Sequence, residues 1–353
     1  MKKVVLVLLS LGTLIFANDW DEAVPTADKF DWIQTTSGEW LKGEIKGMYD
    51  DKLEFDSDEF NIQTIDFEDI KQLKSHSTTS LNIEDKGTIE GKLYIKDNII
   101  TLVSEEGSTT VERASIISLT NGADQESSYW SGKIAAGLSK SSGNTDKSEF
   151  NIKANVKRQT ALTRWTANYL GNYGKSDGFE TENNHRLHSN FDIFQTRNFF
   201  WRPMFAEYYR DPFQNIAQKY TYGVGAGYDI YANSQTNWTV FAGPAIQITK
   251  FVAVQPGEDD KETTGAFIFA THYDHELTHT IDFIATYQVY LVNKRSGTYV
   301  HHALATLETE LVNDFDLDFT FIWDRVQDPT TDSQGDTPKR DDYKTVLSLG
   351  YSF

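Results

Sequence analysis

The chain contains no cysteine. That excludes disulfides, thiolate metal sites and lipid attachment at a lipobox cysteine. It also lacks any stretch near 18 uninterrupted apolar residues, so no helix in it is long and apolar enough to cross a bilayer. Positive charge is in deficit: 33 Lys and Arg stand against 52 Asp and Glu, a net charge of -19. With no basic patch to follow a phosphate backbone, nucleic acid is excluded as a partner. No pattern calls for a cofactor.

What is present is aromatic and patterned. The chain carries 8 Trp, 17 Tyr and 22 Phe. Its mean hydropathy of -0.49 would suit a soluble protein. A membrane barrel tolerates that value too, because only alternate strand residues meet lipid while the lumen and loops stay polar. At the amino end, Lys2-Lys3 precedes an apolar run from Val4 to Phe16, and Ala17 supplies a small residue for cleavage. Residues 1–17 therefore read as a secretory signal peptide.

Residues 18–122 hold most of the net negative charge and repeat a pattern. Gly38-Glu-Trp-Leu-Lys-Gly43, Lys52-Leu-Glu-Phe55, Ile62 to Ile65 and Phe67 to Leu73 are echoed by Gly87-Thr-Ile-Glu-Gly91, Ile99 to Val103, Thr109 to Val111 and Ala114 to Leu119. Two copies, about 30–75 and 80–120, predict two small SH3-like or Sm-like β-units in tandem. Each is too small for a large core, so the two are expected to pack together. Two roles stay open for them: a periplasmic spacer, or a module gripping peptidoglycan, a periplasmic protein or an envelope lipid. Residues 123–128 form a polar hinge.

From 129 to 353 the pattern becomes alternation over twelve segments separated by turn residues. Phe150, Ile152, Ala154 and Val156 alternate with Asn151, Lys153, Asn155 and Lys157; Tyr222, Val224, Ala226 and Tyr228 alternate with Gly223, Gly225 and Gly227. Alternation slips in the fifth (Phe199 to Tyr209), seventh (Trp238 to Phe251) and eighth (Ala266 to Tyr273) segments. Expected short connectors lie at Gln159 to Ala161, Gln195 to Arg197, Asn233 to Gln235, His275 to Thr280 and Asn313-Asp314. Expected longer ones lie at Lys175 to Glu182, Arg210 to Gln218, Val254 to Thr264, Lys294 to Tyr299 and Val326 to Asp341. The fold class is thus all-β: a twelve-stranded antiparallel transmembrane barrel preceded by the two β-repeats. The expected location is the outer membrane, with 18–122 in the periplasm and outer-membrane lipid around the barrel.

The last segment, Tyr343 to Phe353, places Tyr343, Thr345, Leu347, Leu349, Tyr351 and Phe353 on one face. It resembles the closing strand of bacterial outer-membrane barrels, whose terminal aromatic is read by the insertion machinery. The resemblance implies that signal for Tyr351 and Phe353. Gly137-Leu-Ser-Lys-Ser-Ser-Gly-Asn-Thr145, Tyr222 to Tyr228 and Arg340 to Tyr351 also resemble the family of salt-induced outer-membrane proteins, over about residues 127–353. That resemblance implies a structural or narrow-pore role linked to salt or osmotic response, and carries no catalytic residue with it.

Three sets of side chains are candidates for chemistry. His272, Asp274, His275 and His279 are the densest group of metal-ligand types, against which stands the plain reading of solvated turn histidines. His188-Ser189-Asn190 invites a phospholipase-like acyl hydrolase, yet neighbours on a strand point to opposite faces. Catalysis is therefore not expected. Lys133, Lys153, Lys157, Arg186, Asp192, Asp229, Asp282, Glu308, Glu310, Asp318 and Asp324 are expected to face the lumen, as an ionic plug or a narrow solute path. The Glu308/Glu310 pair fits lumen polarity better than acid/base work. An adaptor anchored by the barrel is the third reading.

Overall fold

The computed structural model describes residues 25, 27–105, 107–122, 126–141, 147–233, 235–312 and 314–353. The expected signal peptide, hinge residues 123–125 and residues 142–146 of the Ser-Gly-Asn-Thr hairpin lie outside the described residues.

The amino-terminal part is a nine-stranded antiparallel sheet: β1 (Asp31–Thr35), β2 (Trp40–Tyr49), β3 (Lys52–Ser57), β4 (Asn61–Asp66), β5 (Ile70–Ile83), β6 (Gly87–Lys96), β7 (Ile99–Ser104), β8 (Gly107–Glu112) and β9 (Ile116–Asn121). The order is β4-β3-β2-β1-β5-β6-β7-β8. β9 pairs with both β2 and β5. β1 and β9 lie end to end between β2 and β5, so the ladders return on themselves as a small four-stranded closed unit.

The two expected copies are therefore halves of one sheet. They share β5, a single strand of 14 residues running through both. The sequence hid its middle, because Lys74 to Ser80 is polar throughout. Ser75 is nevertheless buried, and its hydroxyl accepts the N–H of Leu93 at 2.8 Å where the β5–β6 register shifts. One apolar cluster, including Ile33, Phe55, Leu73, Leu81, Leu93 and Leu119, serves both halves. A segment of about 40 residues cannot bury enough surface alone, and sharing a core removes that limit.

Asp31 locks the centre of this sheet. It is 3 % exposed, and its carboxylate accepts the N–H groups of Ile45 at 2.8 Å and His76 at 2.6 Å. Asp31→Ala leaves both donors without a partner, so the sheet loses about 2–4 kcal/mol. Hydrogen exchange across residues 31–121 should accelerate while exchange in the barrel stays unchanged; equal protection in both proteins would refute this role.

The carboxy-terminal part is a closed barrel of twelve strands: β10 (Trp130–Ser141), β11 (Lys147–Gln159), β12 (Thr163–Ser176), β13 (Phe179–Phe194), β14 (Phe199–Asp211), β15 (Ile216–Ala232), β16 (Thr236–Phe251), β17 (Lys261–Thr278), β18 (Ile281–Leu291), β19 (Tyr299–Val312), β20 (Phe315–Val326) and β21 (Asp341–Ser352). β21 closes on β10 from Lys133↔Ser352 to Ala136↔Leu349. Gly132 and Phe353 then exchange two main-chain hydrogen bonds at 2.8 Å. The terminal Phe is thus held in the seam.

All twelve expected segments are strands, but several connector boundaries move. Lys175 to Glu182 is a tight hairpin turning at Asp177-Gly178, both with positive φ. His275 belongs to β17, which runs on to Thr278. Strand five slips because Pro203 and Met204 form a bulge between Arg202↔Gly225 and Phe205↔Gly223. A proline cannot donate to the ladder, and one extra residue reverses the facing of the rest of the strand.

The outer surface is apolar: Ile134, Leu187, Val224, Phe269, Phe319 and Leu347 are all exposed there. Trp130, Trp165, Trp201 and Trp238 sit near the end bearing the short turns, and Trp323 lies toward the other end. An exposed apolar belt with aromatic rims is what lipid requires of a barrel.

Candidate functional site

The site follows from what fills the lumen. On β15, Gly223, Gly225 and Gly227 face inward without side chains. The rings of Phe205, Phe241 and Phe200 occupy that space: a Cβ on Gly223 would lie 2.4 Å from Phe205, and one on Gly227 2.0 Å from Phe200. Phe205, Phe241, Ala245, Ile268, Tyr290 and Val300 form one buried cluster inside the barrel. The Arg202 guanidinium lies 4.3 Å from the Phe241 ring centroid, over its face. Around β14 to β19 the interior is consequently packed like a protein core.

Other inward side chains are tied by charge. Near the short turns, Asp192 joins Arg164 at 3.1 Å and Arg202 at 2.6 Å. Beside the closing seam, the Lys133 ammonium meets Glu308 at 2.6 Å, Asp316 at 3.0 Å and Asp318 at 2.9 Å. It lies across Gly350, where a Cβ would stand 2.6 Å from the lysine Cε. Lys153 approaches the far oxygen of Asp318 at 3.7 Å, a charge contact without a hydrogen bond.

Toward the longer loops, bonds span the barrel. Arg186 on β13 reaches Asp324 on β20 at 2.8 Å and Glu207 on β14 at 3.1 Å. Gln288 on β18 donates to Glu207 at 3.0 Å, and His302 joins Asp324 at 2.8 Å. Lys344 on β21 holds Glu182 on β13 at 2.7 Å. β13 and β14 are thus tied across the lumen to β18, β20 and β21.

The expected inward residues Lys153, Arg186, Asp192, Glu308 and Asp318 all take part in this network. Asp229 also faces in, accepting a hydrogen bond from Thr239 at 2.5 Å. Glu310 shares the Glu308 face at the short-turn end, where it is exposed. Arg164, Arg202, Glu207, Lys219 and the three Phe rings were not anticipated. Most stand on strands whose alternation slips or that bulge. The available signal was the inward glycine row of β15, which leaves room that large side chains must fill.

The other two candidate sets come apart. His272 and Asp274 lie on the inner face, His275 on the outer face bonded to Thr236 at 2.8 Å, and His279 in the turn, 3.1 Å from Glu276. Among the described residues no three His, Asp or Glu side chains gather as a metal site. His188 points inward against Phe205, whereas Ser189 faces out and accepts from the Trp165 indole at 3.0 Å. They share no reaction centre.

At the short-turn end the sheet and the barrel meet. The β2–β3 turn, Asp50-Asp51, has φ of 52° and 61°. Asp51 pairs with Arg197 of the β13–β14 turn. The Tyr49 hydroxyl donates to the Gln159 carbonyl at 3.1 Å, and the Ser118 hydroxyl donates to that of Ala161. Burial in this junction pushes the Tyr49 phenol above its ordinary pKa. Glu126, before the first barrel strand, holds Arg158 at 2.6 Å.

A family model described as "Protein of unknown function, DUF481" matches residues 134–353. No curated protein matches the chain. Among solved structures, the NanC porin is 12% identical over 63% of this chain and 98% of its own, with a TM-score of 0.39. The translocator domain of the autotransporter NalP from Neisseria meningitidis is 13% identical over 64% of this chain and 87% of its own, at 0.36. The outer-membrane channel DcaP of Acinetobacter baumannii is 10% identical over 92% of this chain and 94% of its own, at 0.28. Scores this low carry no functional weight; the architecture rests on closure of the sheet and on its apolar outer belt.

Proposed function

The chain belongs to the family of proteins of unknown function DUF481, and from that premise we propose a non-catalytic outer-membrane anchor: a barrel with a sealed lumen that holds the nine-stranded sheet against its periplasmic end. The observation that carries the reading is the cross-lumen network joined to the Phe200, Phe205 and Phe241 packing. A transport barrel spends its interior on water, and this one spends it on side chains. The sheet docks on the short turns, which face the periplasm in barrels of this type. Its two edge strands, β4 and β8, stay open to a periplasmic partner.

The lipid-hydrolase alternative has no support in the placement of His188 and Ser189. A link to salt or osmotic response, implied by the sequence resemblance, belongs to this proposal as a condition of use rather than as a chemistry of the lumen.

Outer-membrane fractions run on a gel in detergent, with and without boiling, test the anchor. A mobility shift on boiling is expected, together with digestion of the sheet by protease only after the outer membrane is permeabilised. Recovery in the soluble periplasmic fraction without a shift would overturn the membrane reading. Digestion of the sheet in intact cells would reverse the orientation.

A further inference from the structure

At the longer-loop end of the lumen a small cavity lies between two walls of the barrel. Its volume is about 10 Å³, room for one water-sized group. Arg186 on β13, Tyr209 on β14 and Lys219 on β15 line one side. Asp324 on β20, Asp342 on β21 and Arg340, just before β21, line the other.

Lys219 is a buried cation without an anion. It is 3% exposed, and among the described residues its ammonium has no ion pair and no hydrogen bond. It lies 4.6 Å from the centroid of the Tyr209 ring, and the Arg186 guanidinium lies 4.3 Å from the same centroid. Two buried cations therefore share one ring, and each raises the energy of the other. The carboxylates of the cavity are committed elsewhere. Asp324 is held by Arg186 and by the His302 ring, both at 2.8 Å, and Asp342 accepts a hydrogen bond from Gln214. The Tyr209 hydroxyl donates to Asp211 at 3.1 Å. At the rim, Arg340 is exposed and has no ion pair among the described residues. Burying an ammonium without a counter-charge is costly, and a chain with 52 Asp and Glu has carboxylates enough to supply one. A water molecule would fill the space but not balance the charge.

We propose that this cavity binds a single chloride-sized anion, held by the Lys219 ammonium and, from the rim, by the Arg340 guanidinium. An organic acid or a phosphate exceeds the space. Because the lining comes from β13 to β15 on one side and from β20 and β21 on the other, the anion is a further link across the mouth of the barrel, beside Arg186–Asp324 and Lys344–Glu182. The inference stands on the cavity and its cations, whatever the sheet does.

The chlorine NMR linewidth of chloride, measured on the full chain in a non-ionic detergent, is the test. Sodium gluconate, whose anion is too large for the cavity, holds the ionic strength constant, so that screening of surface charge does not vary. Excess broadening that saturates with chloride and is displaced by bromide is expected. It should be lost in Lys219→Met and kept in Lys250→Met, a lysine exposed on the outside of β16. Arg340→Gln should weaken binding about threefold, the size of one exposed charge contact. Heat-modifiability checks that Lys219→Met still closes its barrel, and Arg340→Gln decides the matter if it does not. Absence of saturation, equal broadening by Lys219→Met and the parent, or unchanged binding in Arg340→Gln would overturn the proposal. The linewidth reads the anion alone, so a failure here is distinguishable from a failure of the anchor.

Discussion

Lys133→Met should cost the barrel about 3–5 kcal/mol. One ammonium bridges three carboxylates, of which Asp318 is fully buried and Asp316 nearly so. Removing it leaves like charges facing each other beside the seam where β21 meets β10, the part of the barrel with the shortest ladder. Lys153, at 3.7 Å and without a hydrogen bond, cannot replace it. Thermal conversion of the folded to the unfolded gel form should occur at markedly lower temperature. Lys133→Met/Asp318→Asn should recover part of the loss, because the second change removes the buried charge that the first exposed. An unshifted conversion temperature in the single variant would show that the cluster is solvated and that the lumen is wetter than its packing implies.

In a planar lipid bilayer the purified protein should carry no stepwise current, whereas Phe205→Ala/Phe241→Ala should. The two rings fill the space over the β15 glycines and support Arg202, so their removal opens a void beside the remaining ion pairs. Each Phe→Ala change costs about 3–5 kcal/mol in a packed core, so heat-modifiability of the variant must be checked before its current is read. Porin-like steps from the unaltered protein would show that the packing opens in the membrane and would return the narrow-pore reading to first place.

The residues that were easy to read and those that were not differ for a physical reason. A half-buried strand exposes its alternation directly, and β11, β13 and β20 were legible because every second residue had to meet lipid. β14 was not: Pro203 breaks the ladder and the bulge inverts the facing of Phe205, Glu207 and Tyr209 relative to Phe200 and Arg202. In the sheet, Lys74 to Ser80 carry no apolar signal, and only pairing with β6 and β9 makes β5 one strand.

The amino-acid sequence by itself determined that this chain closes as a twelve-stranded barrel with an apolar outside and a charged interior, because lipid imposes a period of two on every strand and the pattern is written residue by residue. Which charge meets which, that three Phe rings enter the lumen over a row of glycines, and that the two β-repeats share one core and dock by Tyr49, Asp51 and Ser118 on the short turns, only the tertiary structure decided. Those contacts join residues up to 185 positions apart in the chain, and no local pattern records a partner brought near only when the barrel closes.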